Sequence, residues 1–284
     1  MLHGQWVREC GHGVAGAVRG MRQRAASARA AQALQTVQDA VFAQTDAARE
    51  WHRSNLVIHG LRYCADLDLV NDLAPEGPLL DIGAAPCHMT AMLQHAGYPV
   101  VGLDLAPQRV GPLIRTLGLD VRACDVERET MPFADGHFAG ALLCETFEHL
   151  RVDPALVLSE TWRVLAPDGF LLLTTPNVYS LPSLARFLLG RSVADPLSEF
   201  GKLRALGHMG HVREYSAREV RRFVEASGFA IEWLDFRYDR ANPSRRKRIL
   251  NLAYHCVPRR FHRDIVLVAR KIGSGAGPGL APLP

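Results

Sequence analysis

Short apolar runs alternate with longer amphipathic segments through much of the chain, and this alternation limits the possible folds more than any other feature. Each run has the length of a buried β-strand, and the segments between them have the apolar spacing of helices. Strands that alternate with helices form βαβ units, so the sequence predicts an α/β fold with a doubly wound, mainly parallel sheet. The seven predicted strands are Leu79 to Gly83, Val100 to Asp104, Val121 to Cys124, Phe138 to Cys144, Phe170 to Thr175, Phe229 to Phe236 and Ile265 to Ala269.

The segment before the first strand is predicted to be helical. Within the segment from Trp51 to Leu67, Val57, Leu61 and Cys64 recur at spacings of three and four, which predicts that they face the core. A Pro-Glu-Gly-Pro sequence then marks a boundary. The predicted organisation is an N-terminal helical region at 1–76, a sheet domain at 77–271 that contains a lid insertion at 178–215 and a basic insertion at 238–263, and a disordered Gly- and Pro-rich tail at 272–284.

Positive charge is concentrated near the end of the chain. Between Phe236 and Lys271 there are eleven Lys or Arg against two Asp, a local balance of +9 within a net charge of +4. We expect the segment 245–263 to lie beside the substrate, to contact an anionic membrane surface, or to be solvated. Nucleic acid is a less favoured partner because the aromatic stacking pattern of an RNA-binding module is lacking.

The remaining composition favours a cytoplasmic protein. The six cysteines form no C-x-x-C pair, so their spacing predicts neither a disulfide framework nor a zinc knuckle. The apolar runs are far shorter than the roughly 18 residues needed to cross a bilayer.

Polar and small residues follow the first three predicted strands. In a parallel sheet, ligands bind at the carboxyl ends of the strands. The first strand ends in the turn Asp81-Ile82-Gly83-Ala84-Ala85-Pro86-Cys87, the second ends in Asp104, and the third is followed by Asp125. A nicotinamide-binding turn would read G-x-G-x-x-G, but Ala85 and His88 occupy its second and third glycine positions, which weakens that interpretation.

A second group of chemically active residues follows the fourth strand. Glu145, Glu148 and His149 lie within five residues, and His211 lies in a Gly-containing loop downstream. Oxygen and nitrogen donors of this kind suit a divalent metal, and the same residues can also serve as a general base without metal. An ordinary helix cap and ion pair are the third alternative.

Taken together, these motifs resemble the class I S-adenosylmethionine-dependent methyltransferases over about residues 77–271. The resemblance implies the Rossmann-like methyltransferase fold with the strand order 3-2-1-4-5-7-6. It also implies that the first turn holds the methionine end of the cofactor, the second strand end its ribose and the third its adenine. The family usually has the turn D-x-G-x-G-x-G, and this chain has Ala85 and Cys87 at the last two glycines. The implied cofactor-binding residues are Asp81, Gly83, Ala85, Asp104, Leu105, Asp125, Val126 and Glu145.

The E-x-x-E-H sequence is similar to the metal site of the ubiquinone-pathway O-methyltransferases and the small-RNA 2′-O-methyltransferases. That similarity implies Mg, Mn or Zn ligands at Glu145, Glu148, His149 and His211. In related enzymes without metal, Glu145 lines the cofactor pocket and the His is a candidate base. A hydroxyl acceptor must lose its proton, which makes Glu148, His149 and His211 the candidate catalytic residues. We therefore expect methyl transfer to a hydroxyl of a small molecule or of a lipid- or saccharide-linked substrate. A catalytically silent cofactor-binding or scaffold protein and a nicotinamide oxidoreductase are the alternatives.

Overall fold

A computed structural model describes residues 26–44, 49–206, 210–237 and 256–273. The prediction for the tail lies outside these residues except at its first two positions, and much of the predicted basic insertion also lies outside them. None of the helices in the described ranges is both long enough and apolar enough to cross a bilayer.

The described strands form one seven-stranded sheet in the order β3-β2-β1-β4-β5-β7-β6, which confirms the predicted order. The pairs from β3 to β5 are parallel, while β7 runs antiparallel to both of its neighbours. The strands are β1 (Leu79–Ile82), β2 (Val100–Asp104), β3 (Val121–Ala123), β4 (Phe138–Cys144), β5 (Leu165–Pro176), β6 (Phe229–Arg237) and β7 (Asp264–Lys271).

Helices cover both faces of this sheet. On one face α1, α2, α3 and α4 pack on Leu79 and Leu142, and on the other α5 and α8 pack on Leu80 and Leu143, as the alternation of side chains along a strand requires. The helices are α1 (Ala28–Ala43), α2 (Arg49–Leu73), α3 (His88–His95), α4 (Gly111–Leu117), α5 (Pro154–Val164), α6 (Leu181–Leu188), α7 (Pro196–Leu206) and α8 (Ala217–Ala226). Short 3-10 turns lie at Pro107–Val110, Phe147–His149 and Arg259–Phe261.

The orientation of α2 differs from the prediction. Cys64 is buried as expected, but about half of the surface of Val57 and of Leu61 is exposed. Gly60 explains the difference, because a Cβ at this position would lie 3.2 Å from the Leu34 side chain of α1. The glycine lets the two helices approach closely, and it therefore decides which side of α2 faces inward.

Candidate active site

A cavity of about 440 Å³ opens at the carboxyl ends of β1 to β4. All of the residues predicted to bind the cofactor line it, and so do the three predicted to be catalytic. The structure thus brings together side chains from five separate parts of the sequence. These residues are Asp81, Gly83, Ala85, Asp104, Leu105, Asp125, Val126, Glu145, Glu148, His149 and His211.

The turn after β1 lines the cavity. Gly83 has φ 75°, and a Cβ there would overlap the side chain of Thr146, so glycine is required both for its backbone angle and for space. Ala85 is not among the residues with positive φ, so its methyl group is accommodated. Cys87, in contrast, has φ 65° immediately before α3, a backbone angle that favours glycine.

Two buried carboxylates fix this turn. Asp81 accepts a hydrogen bond from Thr90 Oγ1 at 2.6 Å, and burial raises its pKa to about 6. Asp104 accepts from the backbone N–H of Ala85 at 3.1 Å and of Ala106 at 2.9 Å, and its Oδ1 also lies 3.1 Å from Arg109. Since a carboxylate offers about four acceptor positions, Asp104 retains capacity for a ligand hydroxyl while it holds the turn in place.

The end of the cavity beside β2 and β3 combines apolar and acidic groups. Leu105 is 49% exposed although it lies in a cavity wall, and Val126 lies beside it in the same lining. Asp125 accepts from the backbone N–H of Glu127 at 3.2 Å and lies 3.3 Å from Arg128. A flat, partly polar ring with an exocyclic amine fits these surroundings, because apolar groups can contact its faces while the carboxylate accepts from the amine.

Helix α2 forms part of the cavity wall and contributes residues that the sequence analysis missed. Trp51, Asn55, His59 and Arg62 all line it. Their spacings of four, four and three place them on one side of the helix. The spacing of these polar and aromatic residues could have indicated the side of α2 that faces the cavity. The prediction instead placed Val57 and Leu61 in the core, and therefore assigned the wrong side of the helix.

Glu145 forms a buried ion pair with α2. Its carboxylate lies 2.7 Å from Arg62 Nη1 and accepts from Thr174 Oγ1 at 3.3 Å, and its backbone has φ 55°. Burial alone would raise the pKa of Glu145, but attraction by Arg62, and then by Arg237, outweighs it and lowers the pKa below its usual value. Glu145 is therefore a carboxylate in the folded protein, and its ion pair with Arg62 connects α2 to the end of β4.

Glu148, His149 and His211 converge on one part of the cavity wall. Glu148 Oε1 lies 3.9 Å from Nε2 of His149 and 3.8 Å from Nε2 of His211. His149 Nδ1 lies 3.0 Å from the carbonyl of Gly210, and His211 Nδ1 lies 3.1 Å from the Glu214 carboxylate. Both of these partners are acceptors, so Nδ1 is the donor in each ring and Nε2 faces Glu148.

Glu148 is fully buried, which makes its charge costly. Its Oε2 accepts from Thr175 Oγ1 at 3.0 Å, whereas Oε1 has no hydrogen-bond partner among the described residues. Burial, followed by repulsion from Glu145, raises the pKa of Glu148 well above its usual value. An unsatisfied buried oxygen that faces two imidazole nitrogens is a place where a proton or a cation would be stabilised.

The donors from these three side chains lie within 4.8 Å of one another, close enough to hold one ion. Glu145, which the sequence analysis included among the metal ligands, is not part of this cluster. Its carboxylate is instead engaged by Arg62 and Thr174.

The basic segment 245–263 is described only from residue 256 onward. Within that part, Arg259 pairs with Asp235 at 2.9 Å and donates to the carbonyl of Phe236. None of the residues 256–263 lines the cavity. The predicted position beside the substrate therefore has no support from the part of this segment that is described.

Two curated proteins are similar in sequence to part of this chain. A probable S-adenosylmethionine-dependent methyltransferase of Mycolicibacterium smegmatis is 28% identical over 155 residues, which is 54% of this chain and 52% of that protein. A malonyl-[acyl-carrier protein] O-methyltransferase of Erwinia billingiae is 29% identical over 138 residues, 46% of this chain and 52% of that protein. The matches thus span about half the length of either relative.

Solved structures support the fold. A possible histamine N-methyltransferase from Thermotoga maritima superposes with a TM-score of 0.53 at 18% identity, covering 80% of this chain and 96% of that one. A putative methyltransferase from Haloferax volcanii, solved in complex with the Trm112 activator, gives 0.54 at 17% identity and covers 84% and 99%. At these identities the likeness concerns the fold alone.

The strongest comparison is with a family described as "Methyltransferase domain", which matches residues 34–233 and so includes α2, the glycine turn and the Glu148 cluster. That match covers more than half of the chain, and it agrees with the strand order and with the cavity at the strand ends. The chain belongs to this family of class I S-adenosylmethionine-dependent methyltransferases.

Proposed function

We propose that this protein transfers the methyl group of S-adenosylmethionine to a hydroxyl group of a small molecule or of a lipid- or saccharide-linked acceptor. The observation that carries the proposal is the position of the Glu148, His149 and His211 side chains. They lie on the wall of the same cavity that the glycine turn and the acidic strand ends form. One site would therefore both bind the cofactor and remove a proton from the acceptor.

The residues of the cavity fit the cofactor from end to end. Gly83 allows the positive φ of the turn and the close approach of Thr146, and Arg62 Nε is a buried donor with no partner among the described residues. Asp104 is proposed to hold the ribose hydroxyls, with Leu105 and Val126 against the adenine and Asp125 at its amine. Asp81, Gly83 and Ala85 would surround the methionine end, and Glu145 would line it. When bound, the cofactor supplies a sulfonium-activated methyl group.

The chain's own contribution is alignment and proton removal. A hydroxyl oxygen becomes a good nucleophile only as its proton leaves, and a positioned imidazole typically contributes about a hundredfold or more to the rate. His149 Nε2 is the proposed acceptor of that proton, because Nδ1 is already committed to the Gly210 carbonyl. The resulting imidazolium would favour the carboxylate form of Glu148 across the 3.9 Å gap, against the burial and the Glu145 charge that raise the pKa of this group.

A divalent metal is the second form of this proposal. Glu148, His149 and His211 would be its ligands, and the Gly210 carbonyl and the Glu214 carboxylate orient the two rings as acceptors commonly do behind metal-bound histidines. Two imidazoles with one carboxylate favour Zn or Mn over Mg, which prefers oxygen ligands. Such an ion would lower the pKa of an acceptor hydroxyl.

The test measures release of S-adenosylhomocysteine in the presence of phenols, sugar hydroxyls and lipid-linked hydroxyl compounds. We expect turnover with one of these classes and a loss of about a hundredfold or more in His149→Ala. His137→Ala is the matched control, because His137 is exposed and does not line the cavity. Activity that disappears in chelator and returns with Zn or Mn supports the metal form, and full activity in chelator supports the base alone.

A silent cofactor-binding or scaffold protein is the alternative, because the strained backbone angle of Cys87 in the turn would be compatible with weak cofactor binding. A nicotinamide oxidoreductase is disfavoured by Ala85 and His88 at two glycine positions of its turn. Binding of S-adenosylhomocysteine without turnover in any acceptor class would replace the enzymatic proposal by the silent alternative. Binding of NADH in preference to S-adenosylhomocysteine would contradict both.

A further inference from the structure

The insertion between β5 and α8 presents three consecutive apolar side chains to solvent. Phe187, Leu188 and Leu189, here called the insertion tip, are 72%, 82% and 73% exposed. On the following helix, Leu197 and Phe200 are exposed as well. Single exposed apolar residues are common, but a contiguous group of large ones on a soluble protein marks a surface that contacts something else.

The local structure holds the tip outward. Gly190 has φ 67°, and the space around it is open to 4 Å, so the glycine serves the turn rather than packing. Arg191 donates its backbone N–H to the Arg186 carbonyl at 2.9 Å, and the Arg186 Nε donates to the Ser192 carbonyl at 2.9 Å. Because these bonds close the turn on itself, the tip is preformed.

Positive charge predominates in the insertion and lies next to the tip. From residue 178 to residue 206 there are four Lys or Arg against Asp195 and Glu199, and Arg186 and Arg191 flank the apolar group on either side. Apolar side chains between cations match the arrangement of an anionic bilayer, where hydrocarbon lies beneath negative headgroups. A second copy of the chain is a poorer match, because a two-fold contact through the tip would bring like charges together.

We propose that the insertion tip docks on an anionic membrane surface, with Phe187, Leu188 and Leu189 entering the headgroup region and Arg186 and Arg191 lying at the level of the phosphates. This inference goes beyond methyl transfer and does not depend on it. The same insertion contributes Lys202 to the cavity wall, and the loop after α7 contributes Gly210 and His211. A docked tip would therefore hold this side of the cavity close to the membrane.

The test is co-sedimentation of the full chain with phosphatidylglycerol-containing vesicles and with pure phosphatidylcholine vesicles. We expect binding to the anionic vesicles that weakens as salt is added. A Phe187→Ser/Leu188→Ser/Leu189→Ser variant should lose about tenfold or more in binding, and Arg186→Gln/Arg191→Gln should lose about tenfold, since each cation adds to the attraction. Val57→Ser/Leu61→Ser is the matched control, because it removes exposed apolar side chains from α2 and should bind as the parent does.

Circular dichroism and binding of S-adenosylhomocysteine establish that each variant is folded. Vesicle binding that is absent in the parent, or unchanged in the Ser variant, would overturn the proposal, the second result assigning the membrane contact to another surface such as the basic segment 245–263. A parent dimer that the Ser variant converts to a monomer, without vesicle binding by either, would assign the tip to self-association and would likewise overturn it.

Discussion

The two sides of the cavity are constructed differently. On the proposed cofactor side, the side chains are also structural: Asp104 accepts from two backbone N–H groups, Asp81 accepts from Thr90, and Glu145 pairs with Arg62. On the proposed acceptor side, Glu148 and the two histidines face one another across nearly 4 Å. The difference indicates that substitutions on the cofactor side should affect stability together with binding. Substitutions on the acceptor side should affect mainly the rate, since Thr175 is the one side chain that donates to Glu148 among the described residues.

The largest effect on stability is expected at the Arg62–Glu145 ion pair. Arg62→Met would leave the Glu145 carboxylate buried without its partner, so the free energy of unfolding should fall by about 3–5 kcal/mol. Chemical denaturation measures this. Adding Glu145→Gln should recover much of the loss, because the carboxylate that Arg62 neutralises is then removed as well.

An exposed pair provides the control for this prediction. Arg221 and Glu225 on α8 lie 3.1 Å apart with about half of each side chain exposed. Arg221→Met should cost less than about 1 kcal/mol. Equal losses at the two sites would contradict the structural role assigned to the cofactor side.

A smaller effect is expected from a buried histidine pair that joins α2 to the cofactor turn. His52 Nδ1 and His88 Nε2 are 2.9 Å apart, and burial, followed by repulsion from His52 and His59, lowers the pKa of His88 well below its usual value. The folded protein therefore disfavours protonation at His88, while the unfolded chain accepts a proton near pH 6.5. This contribution to stability is complete above about pH 6.5 and is lost as the pH falls, by at most about 1.4 kcal/mol per pH unit.

The variant His88→Gln isolates this contribution from that of Asp81 and Glu148, whose raised pKa values act in the opposite direction. The free energy of unfolding of the parent minus that of the variant should decrease between about pH 7.5 and about pH 5.5. A difference that stays constant across this interval would show that His88 is not held neutral.

The smallest effect concerns Cys87, the position where the family usually has glycine. In the left-handed region a Cβ costs about 1 kcal/mol, so Cys87→Gly should be more stable than Cys87→Ala by about that amount. At positions with negative φ, the Ala variant is usually the more stable of the two. Thermal unfolding of the two variants measures the difference, and a more stable Ala variant would contradict the assigned backbone angle.

The fold and most of the cavity could be predicted from the sequence because their signals are local. The ends of the first three strands each carry a candidate residue, so that Asp104 and Asp125 could be expected in the cavity lining without knowledge of the tertiary structure. The contribution of α2 could not be recognised in this way, since Arg62 becomes significant only when it reaches Glu145 from another part of the chain.

The acceptor side shows the same limit. The predicted group of four donors loses Glu145 because Arg62 and Thr174 engage it, and neither partner is adjacent in sequence. The roles of Gly210 and Glu214 in orienting the two rings also depend on tertiary contacts. Patterns in the sequence thus identified which residues line the cavity more reliably than which partners they contact.

The most direct test measures S-adenosylhomocysteine affinity by calorimetry and methyl-transfer rate in parallel for Asp104→Asn and Glu148→Gln. Asp104→Asn should lose about tenfold or more in affinity, because hydrogen bonds to a charged carboxylate are the strong ones. Glu148→Gln should keep the parent's affinity and lose about a hundredfold in rate. A parent chain that does not bind S-adenosylhomocysteine, or two variants that lose affinity equally, would contradict the division of the cavity into a cofactor side and an acceptor side.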